Sequence, residues 1–126
     1  MSKEEEKSKD ETVQVCKEIL ASIGMGRKWS ENQSYSDVFE SLEAVMSNLA
    51  FLVGPLTDAE VEFNKLVIFY HEEKDMSVAG ATAKAKTEPQ YVWYKKLKHT
   101  YELGHEHVMA IKKFSDKLQD EWQRTQ

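Results

Sequence analysis

The sequence predicts an all-α protein: a helical hairpin followed by a long C-terminal helix with a coiled-coil-like heptad seam. Apolar residues recur at helical spacing in several segments, and Gly54-Pro55 separates two of them as a tight turn would. After Pro89 no further proline or strong turn signal occurs. The predicted regions are a disordered charged tail (1–10), a helical hairpin region (11–86) and the long C-terminal helix (87–126).

A tail, a short helix and a loop are predicted before the hairpin. Residues 1–10 are almost entirely polar or charged, which predicts a disordered tail. A short helix follows from Glu11 and ends at Gly24 to Gly26, with its apolar residues at Val15, Ile19, Leu20 and Ile23. A polar loop is expected from Arg27 to Ser36.

The hairpin is predicted from two apolar segments on either side of Gly54-Pro55. The second helix, capped by Ser36, carries one wide apolar face: Val38, Phe39, Leu42, Val45, Met46, Leu49 and Leu52. Proline ends this helix because it lacks a donor and clashes with the preceding turn. Thr57 and Glu60 match a capping box, which would start a third helix that runs to about Lys74.

The sequence predicts two further helix N-termini, one for a short helix and one for the long C-terminal helix. The alternating alanines between Ala79 and Ala85 suggest a brief, thinly packed helix after the break at 75–77. Thr87 and Gln90 then offer a second capping box, with Pro89 inside the first turn, where proline does little harm.

The long helix carries the most regular pattern in the sequence, here called the α4 seam. Its positions alternate spacings of three and four: Tyr94, Leu97, Tyr101, Gly104, Val108, Ile111, Ser115, Leu118 and Trp122. A helix from Thr87 to Arg124 would be on the order of 55 Å long, so part of the seam would extend beyond a compact domain. Gly104 marks either a bend or a close helix crossing.

Two ways of covering the α4 seam remain open. A second copy of the chain or another helical protein would contact its larger side chains, which are Tyr94, Leu97, Tyr101, Val108, Ile111, Leu118 and Trp122. Alternatively, the second and third helices would cover the seam within one chain.

Composition limits the class of protein. Of the 126 residues, 40% are hydrophobic and 31% are charged, which fits one rather polar domain. Cys16 is the single cysteine, so no intrachain disulfide is possible and a reducing cytoplasm is expected. We expect a buried structural thiol there, and neither a signal peptide nor a membrane span is apparent. Residues 1–62 hold 13 acidic and 6 basic residues, whereas residues 63–126 hold 9 and 11.

A basic and aromatic stretch is the candidate nucleic-acid surface. Its residues are Lys84, Lys86, Tyr91, Trp93, Lys95, Lys96 and Lys98, and Tyr94 lies among them. Lysines neutralise phosphates and exposed rings stack on unpaired bases, so binding would be salt-sensitive and weakly sequence-specific. The alternative is an ordinary solvated face, with Tyr94 packed in the α4 seam.

No residues form a catalytic motif, and we expect no enzyme activity, no cofactor and no metal. Glu102 and His105 have the Glu-x-x-His spacing of di-iron bundles, but the chain contains one such pair, and a homodimer would be needed to double it. A dimeric carboxylate–histidine metal protein is therefore only a further alternative.

The segment Met76 to Lys86, followed by Tyr91 to Tyr94 and a long helix through Tyr101 and Ile111, resembles a pattern in small helical bacteriophage proteins. Those proteins have an alanine-rich turn, a tyrosine-led entry and a coiled-coil-like helix, and many are encoded in replication and recombination regions. The resemblance covers about residues 66–124. It implies an accessory role and no catalytic residues.

From these features we expect a non-enzymatic helical interaction protein that acts in the cytoplasm, or in the host cytoplasm if it is phage-encoded. Its partner would be a second copy or another helical protein, in DNA replication, recombination or host takeover. A protein that contacts single-stranded nucleic acid is the alternative.

Overall fold

A computed structural model describes residues 3–26 and 35–124, without the side chains at 25, 26, 35, 36, 115, 118 and 122. Across this part of the chain there are four α-helices and no strand: α1 (Lys3–Gly26), α2 (Tyr35–Glu72), α3 (Val78–Ala85) and α4 (Pro89–Arg124). The predicted all-α class, the brief alanine-rich helix and the long C-terminal helix are confirmed.

The disordered tail predicted for residues 1–10 is wrong over the residues described, because α1 begins at Lys3. Three glutamates occupy the first turn of α1, where negative charge interacts favourably with the helix dipole. The side chains of residues 3–10 are exposed. A polar sequence can therefore form a solvated helical extension when the helix continues into a packed segment.

The apolar side of α1 is confirmed in part. Ile19 is 0% exposed and Cys16 is 2% exposed, which confirms the buried thiol, whereas Leu20 is 46% exposed. Most of the polar loop predicted from Arg27 to Ser36 falls on residues 27–34, which lie outside the described residues. The side chain of the predicted cap Ser36 is also outside them, and α2 begins at Tyr35.

The predicted hairpin turn at Gly54-Pro55 is wrong, because α2 is a single helix of 38 residues with Pro55 inside it. Proline in a helix interior costs ~3 kcal/mol. Gly54 reduces that cost, since a residue without Cβ does not clash with the following proline ring. Apolar residues are buried on both sides of the proline, including Leu52 at 0% and Ala59 at 5% exposure, and their burial favours continuing the helix.

Both predicted capping boxes are also wrong, because the threonines bond backward along the chain. Thr57 Oγ1 donates to the Val53 carbonyl at 2.8 Å, which is the backbone bonding of a threonine within a helix. Thr87 Oγ1 donates to the Lys84 carbonyl at 2.7 Å. The N-cap of α3 is Ser77, whose Oγ accepts a hydrogen bond from the Gly80 N–H at 3.1 Å.

The chain divides into two compact units, and the first comprises Met1–Leu52 together with Thr100–Gln126. Its core combines residues of three helices, among them Ile19, Val45 and Ile111. At Gly104 the backbone of α4 approaches its neighbours closely. A Cβ placed there would lie 2.7 Å from Leu49 Cδ2 and 3.1 Å from Ile19 Cγ2. Of the two predictions for Gly104, the close helix crossing is confirmed.

The second unit, Val53–His99, contains the rest of α2, all of α3 and the start of α4. Its buried residues are small or aliphatic, with Ala81, Ala85 and Leu97 each 0% exposed. Between α2 and α3, Asp75 has a φ of 55°, in the left-handed region, and the N–H of Met76 donates to the Tyr70 carbonyl at 3.3 Å.

Candidate interaction surfaces

The centre of the α4 seam is buried within a single chain. Exposed fractions are 0% for Leu97, 5% for Val108 and 1% for Ile111, and Tyr94 and Tyr101 are half-buried. The side chains of Leu118 and Trp122 lie outside the described residues. Side chains that are buried in the folded chain do not contact a partner, so the first three are core residues. The chain therefore covers this part of its own seam, but not with the predicted second and third helices alone, because Ile19 of α1 lies beside Gly104 together with Leu49 of α2.

The basic and aromatic stretch does not form one surface. Residues 91 and 93 are two positions apart on α4, so their side chains leave the helix about 200° apart. Tyr91 belongs to a group of rings and lysines on one side. Trp93 lines an open groove of about 440 Å³ with Thr87, Pro89, Val92 and Lys96.

The first of these surfaces, here called the tyrosine–lysine cluster, consists of Phe63, Tyr91, Tyr94, Lys86, Lys95 and Lys98. The Phe63 ring centroid lies 5.1 Å from that of Tyr91 and 5.8 Å from that of Tyr94. These rings pack against each other, so part of each ring is unavailable for stacking on a base.

The lysines of the cluster lie over the tyrosine rings. Lys86 Nζ and Lys95 Nζ are each 5.9 Å from the Tyr91 centroid, and Lys98 Nζ is 5.9 Å from that of Tyr94. Such cation–π contacts hold the ammonium groups near the surface while all three side chains remain exposed. Lys84 is exposed on α3.

Glu88, the single acidic residue of this stretch, has its own partner. Tyr70 Oη donates to Glu88 Oε1 at 2.7 Å, between α2 and the turn before α4. The hydrogen bond raises the pKa of Tyr70, because the carboxylate favours the protonated phenol, and desolvation and the charge of Glu88 act in the same direction.

Glu102 and His105 lie exposed on α4. Within residues 3–26 and 35–124, no three His, Cys, Asp or Glu side chains are grouped so that they could hold a metal ion. The carboxylate–histidine alternative needs a second copy of the chain to double this pair, and it stays a prediction.

The surface that sequence reasoning missed is on α2. Within the second unit, α2 exposes Val53 (47%), Val61 (45%) and Ile68 (54%). Thr57 and Asn64, also exposed, complete a row whose spacings of three and four place it along one side of the helix. We call these five residues the outer face of α2.

The first unit carries its own exposed apolar residues on α2. Phe39 and Met46 are 45% and 46% exposed and lie two turns apart, with the acidic Glu43 between them. The sequence pattern had assigned Phe39 and Met46 to the buried face. The error has a simple cause: an apolar arc wider than the core contact leaves its edge exposed.

No described helix has an apolar stretch long enough to cross a membrane. Comparisons with protein-family models, curated proteins and solved structures find no match to this chain.

Proposed function

We propose that this protein is a non-enzymatic interaction protein that docks a partner on the outer face of α2. The observation that carries the proposal is the row of exposed Val53, Val61 and Ile68, each 45–54% exposed on one helix. The three apolar side chains, with Thr57 and Asn64 between them, line one side of the helix, and an exposed apolar stripe with a polar border supports a docking role. A helix face of this kind packs against the apolar side of a second helix, as in a coiled coil or in a complex where a helix lies in an apolar groove.

The proposed surface differs from the one that the sequence favours. Leu97, Val108 and Ile111 are engaged in the core, so the apolar area available to a partner lies on α2 rather than on the α4 seam. We propose that this partner acts in DNA replication, recombination or host takeover, as the resemblance to small helical phage proteins implies.

The proposal is tested by changing the outer face without changing the core. In the triple variant Val53→Thr, Val61→Thr, Ile68→Thr, we expect native-state binding of an apolar fluorescent dye to fall. The free energy of unfolding should change by at most about 0.5 kcal/mol per site, because exposed residues contribute little to folding. Urea denaturation, monitored by circular dichroism, measures the free energy of unfolding.

The matched control is Val92→Thr with Met109→Thr, which changes two apolar residues of α4 that are 64% and 45% exposed. Dye binding should persist in this control. Unfolding of the triple variant at low urea would mean that the outer face belongs to the core, and the docking proposal would be wrong.

A second candidate function is contact with single-stranded nucleic acid through the lysines of the tyrosine–lysine cluster. It is favoured by five lysines against one acidic residue in residues 84–98, and that acid is bonded to Tyr70. We expect the triple variant Lys86→Gln, Lys95→Gln, Lys98→Gln to weaken binding of a labelled oligonucleotide, measured by fluorescence anisotropy. The salt slope of log K should fall by about 2, at about 0.7 per phosphate contact.

Three other exposed lysines of α4, changed together as Lys112→Gln, Lys113→Gln and Lys117→Gln, are the matched control. Equal weakening in both triple variants would show general charge attraction and would count against the cluster.

A further inference from the structure

The charges beside the outer face of α2 indicate the chemistry of its partner, and this inference rests on the proposed docking function. Between Val53 and Glu72, α2 carries four acidic residues and one basic residue. The basic residue, Lys65, is already paired, with its Nζ 3.4 Å from Glu62 Oε1. The remaining carboxylates, on Asp58, Glu60 and Glu72, are exposed.

Two of these carboxylates lie directly beside the apolar row. Glu60 is four residues before Asn64, and Glu72 is four residues after Ile68, which makes each a neighbour of the row on the helix surface. Lys65, four residues after Val61, borders the row by the same rule, but Glu62 offsets its charge at 3.4 Å. The border is therefore negative at Glu60 and at Glu72. A partner that covers Val61 and Ile68 must approach both charges.

The acidic border argues against pairing of this face with the same face of a second copy. Such a pair would bring together two sets of four carboxylates, each with one lysine, and like charges across an interface are unfavourable. A positively charged partner gains from the same carboxylates. We infer that the outer face of α2 binds an amphipathic helix of another protein whose apolar stripe is flanked by lysine or arginine.

The length of the outer face sets the size of this partner. From Val53 to Ile68 the row spans about four turns, or ~22 Å. A partner helix of similar length would place its apolar residues on Val53, Val61 and Ile68 and its cations toward Glu60 and Glu72. In such a complex the partner helix contacts α2 through its own apolar residues at positions i, i+3, i+4 and i+7.

A pair of synthetic peptides tests the inference on the full chain. Both are labelled helical peptides of about 18 residues, long enough to cover the row, with leucine at the a and d positions. One has lysine at the flanking positions and the other has glutamate. We expect the lysine peptide to bind at least about tenfold more tightly in fluorescence anisotropy, and raising the salt concentration to weaken it.

Two substitutions with the same charge change locate the binding. Val61→Asp should weaken the lysine peptide by about tenfold or more, since it places a charge in the apolar contact. Val92→Asp, on α4 in the same unit, adds the same charge to a residue that is 64% exposed and should leave the affinity unchanged. General attraction to a more acidic protein would instead strengthen both variants.

Exchanging the border charges is the converse test. The double variant Glu60→Lys, Glu72→Lys should favour the glutamate peptide, and Glu106→Lys, an exposed acid on α4, should not. Thermal melts by circular dichroism confirm that each variant is folded.

The outcomes separate the two proposals. Equal binding of both peptides, lost in Val61→Asp, would overturn the charge inference and leave the docking function intact. A dimer in light scattering that Val61→Asp dissociates would show that the occupant is a second copy. Absence of any binding, with a monomer in light scattering, would overturn both proposals.

Discussion

At the scale of single residues, Tyr70 and Glu88 link α2 to the turn before α4 through one hydrogen bond of 2.7 Å. This bond occupies one carboxylate oxygen of Glu88, which is the single acidic residue beside the five lysines of residues 84–98. The bond exists only while the Tyr70 phenol keeps its proton, and the carboxylate raises the pKa of Tyr70 above its ordinary value of 10.0. Protonation of this phenol is therefore linked to folding.

The linkage predicts a loss of stability in alkaline solution. The pKa of Tyr70 is higher in the folded than in the unfolded chain. At a pH between these two pKa values unfolding releases a proton from Tyr70, so raising the pH favours unfolding. The contribution is fully present below pH 10.0 and is lost as the pH rises through the folded-state pKa. Urea unfolding between pH 8 and pH 11 measures it.

Tyr70→Phe removes both the bond and the linked proton. We expect this variant to be less stable than the parent near neutral pH and to lose less stability above pH 10.0. Tyr101→Phe on α4 is the control and should keep the pH dependence of the parent. Identical alkaline curves for the parent and Tyr70→Phe would show that the bond does not form in solution.

At the scale of helices, Gly104 determines how closely α4 approaches α1 and α2 in the first unit. In Gly104→Ala, the new Cβ would meet Leu49 Cδ2 at 2.7 Å and Ile19 Cγ2 at 3.1 Å. Overpacking costs about 1–3 kcal/mol, whereas alanine improves helix propensity by ~1 kcal/mol. We expect a net loss of up to about 2 kcal/mol in the free energy of unfolding, measured by urea denaturation.

Gly24 in α1 provides the matched control, because a Cβ there would meet nothing within 4 Å. Gly24→Ala should be neutral or stabilise the protein by up to about 1 kcal/mol. If Gly104→Ala proves as stabilising as Gly24→Ala, the helices do not approach closely at this position.

Helix content is predictable here and helix boundaries are not. The spacing of Val38, Leu42, Val45 and Leu49 predicts the buried side of α2, and burial confirms these positions. The break at Pro55 is wrongly predicted because local preference is outweighed by burial on both sides of the proline. No local signal reports that balance.

The candidate surface was hidden by the same error. A predicted turn at Gly54-Pro55 separates Val53 from Val61 and Ile68, so the sequence pattern does not show these residues as one face. The α4 seam shows the converse limit, because heptad spacing marks an apolar side of a helix without saying whether the same chain or a partner covers it. Only the burial of Leu97, Val108 and Ile111 decides between them.

At the scale of the whole molecule, charge is sorted by helix rather than by half of the chain. Across its length, α2 holds seven acidic residues and one basic residue, whereas residues 84–98 hold one and five. The unit Val53–His99 contains seven of each, so it is neutral as a whole while its helices are not. The net charge of −5 therefore conceals two surfaces of opposite sign, which suit different partners.

The unit Val53–His99 is contiguous in sequence, whereas the other unit joins two segments that lie on either side of it. Closing a longer loop costs more entropy, so we expect contacts within the contiguous unit to form before those that join α1 to the end of α4. Until those later contacts form, Ile19 and Cys16 of α1 lack the α4 residues that complete their core. During folding, the apolar residues of α1 and of the start of α2 are therefore expected to stay exposed for longer than those of the contiguous unit.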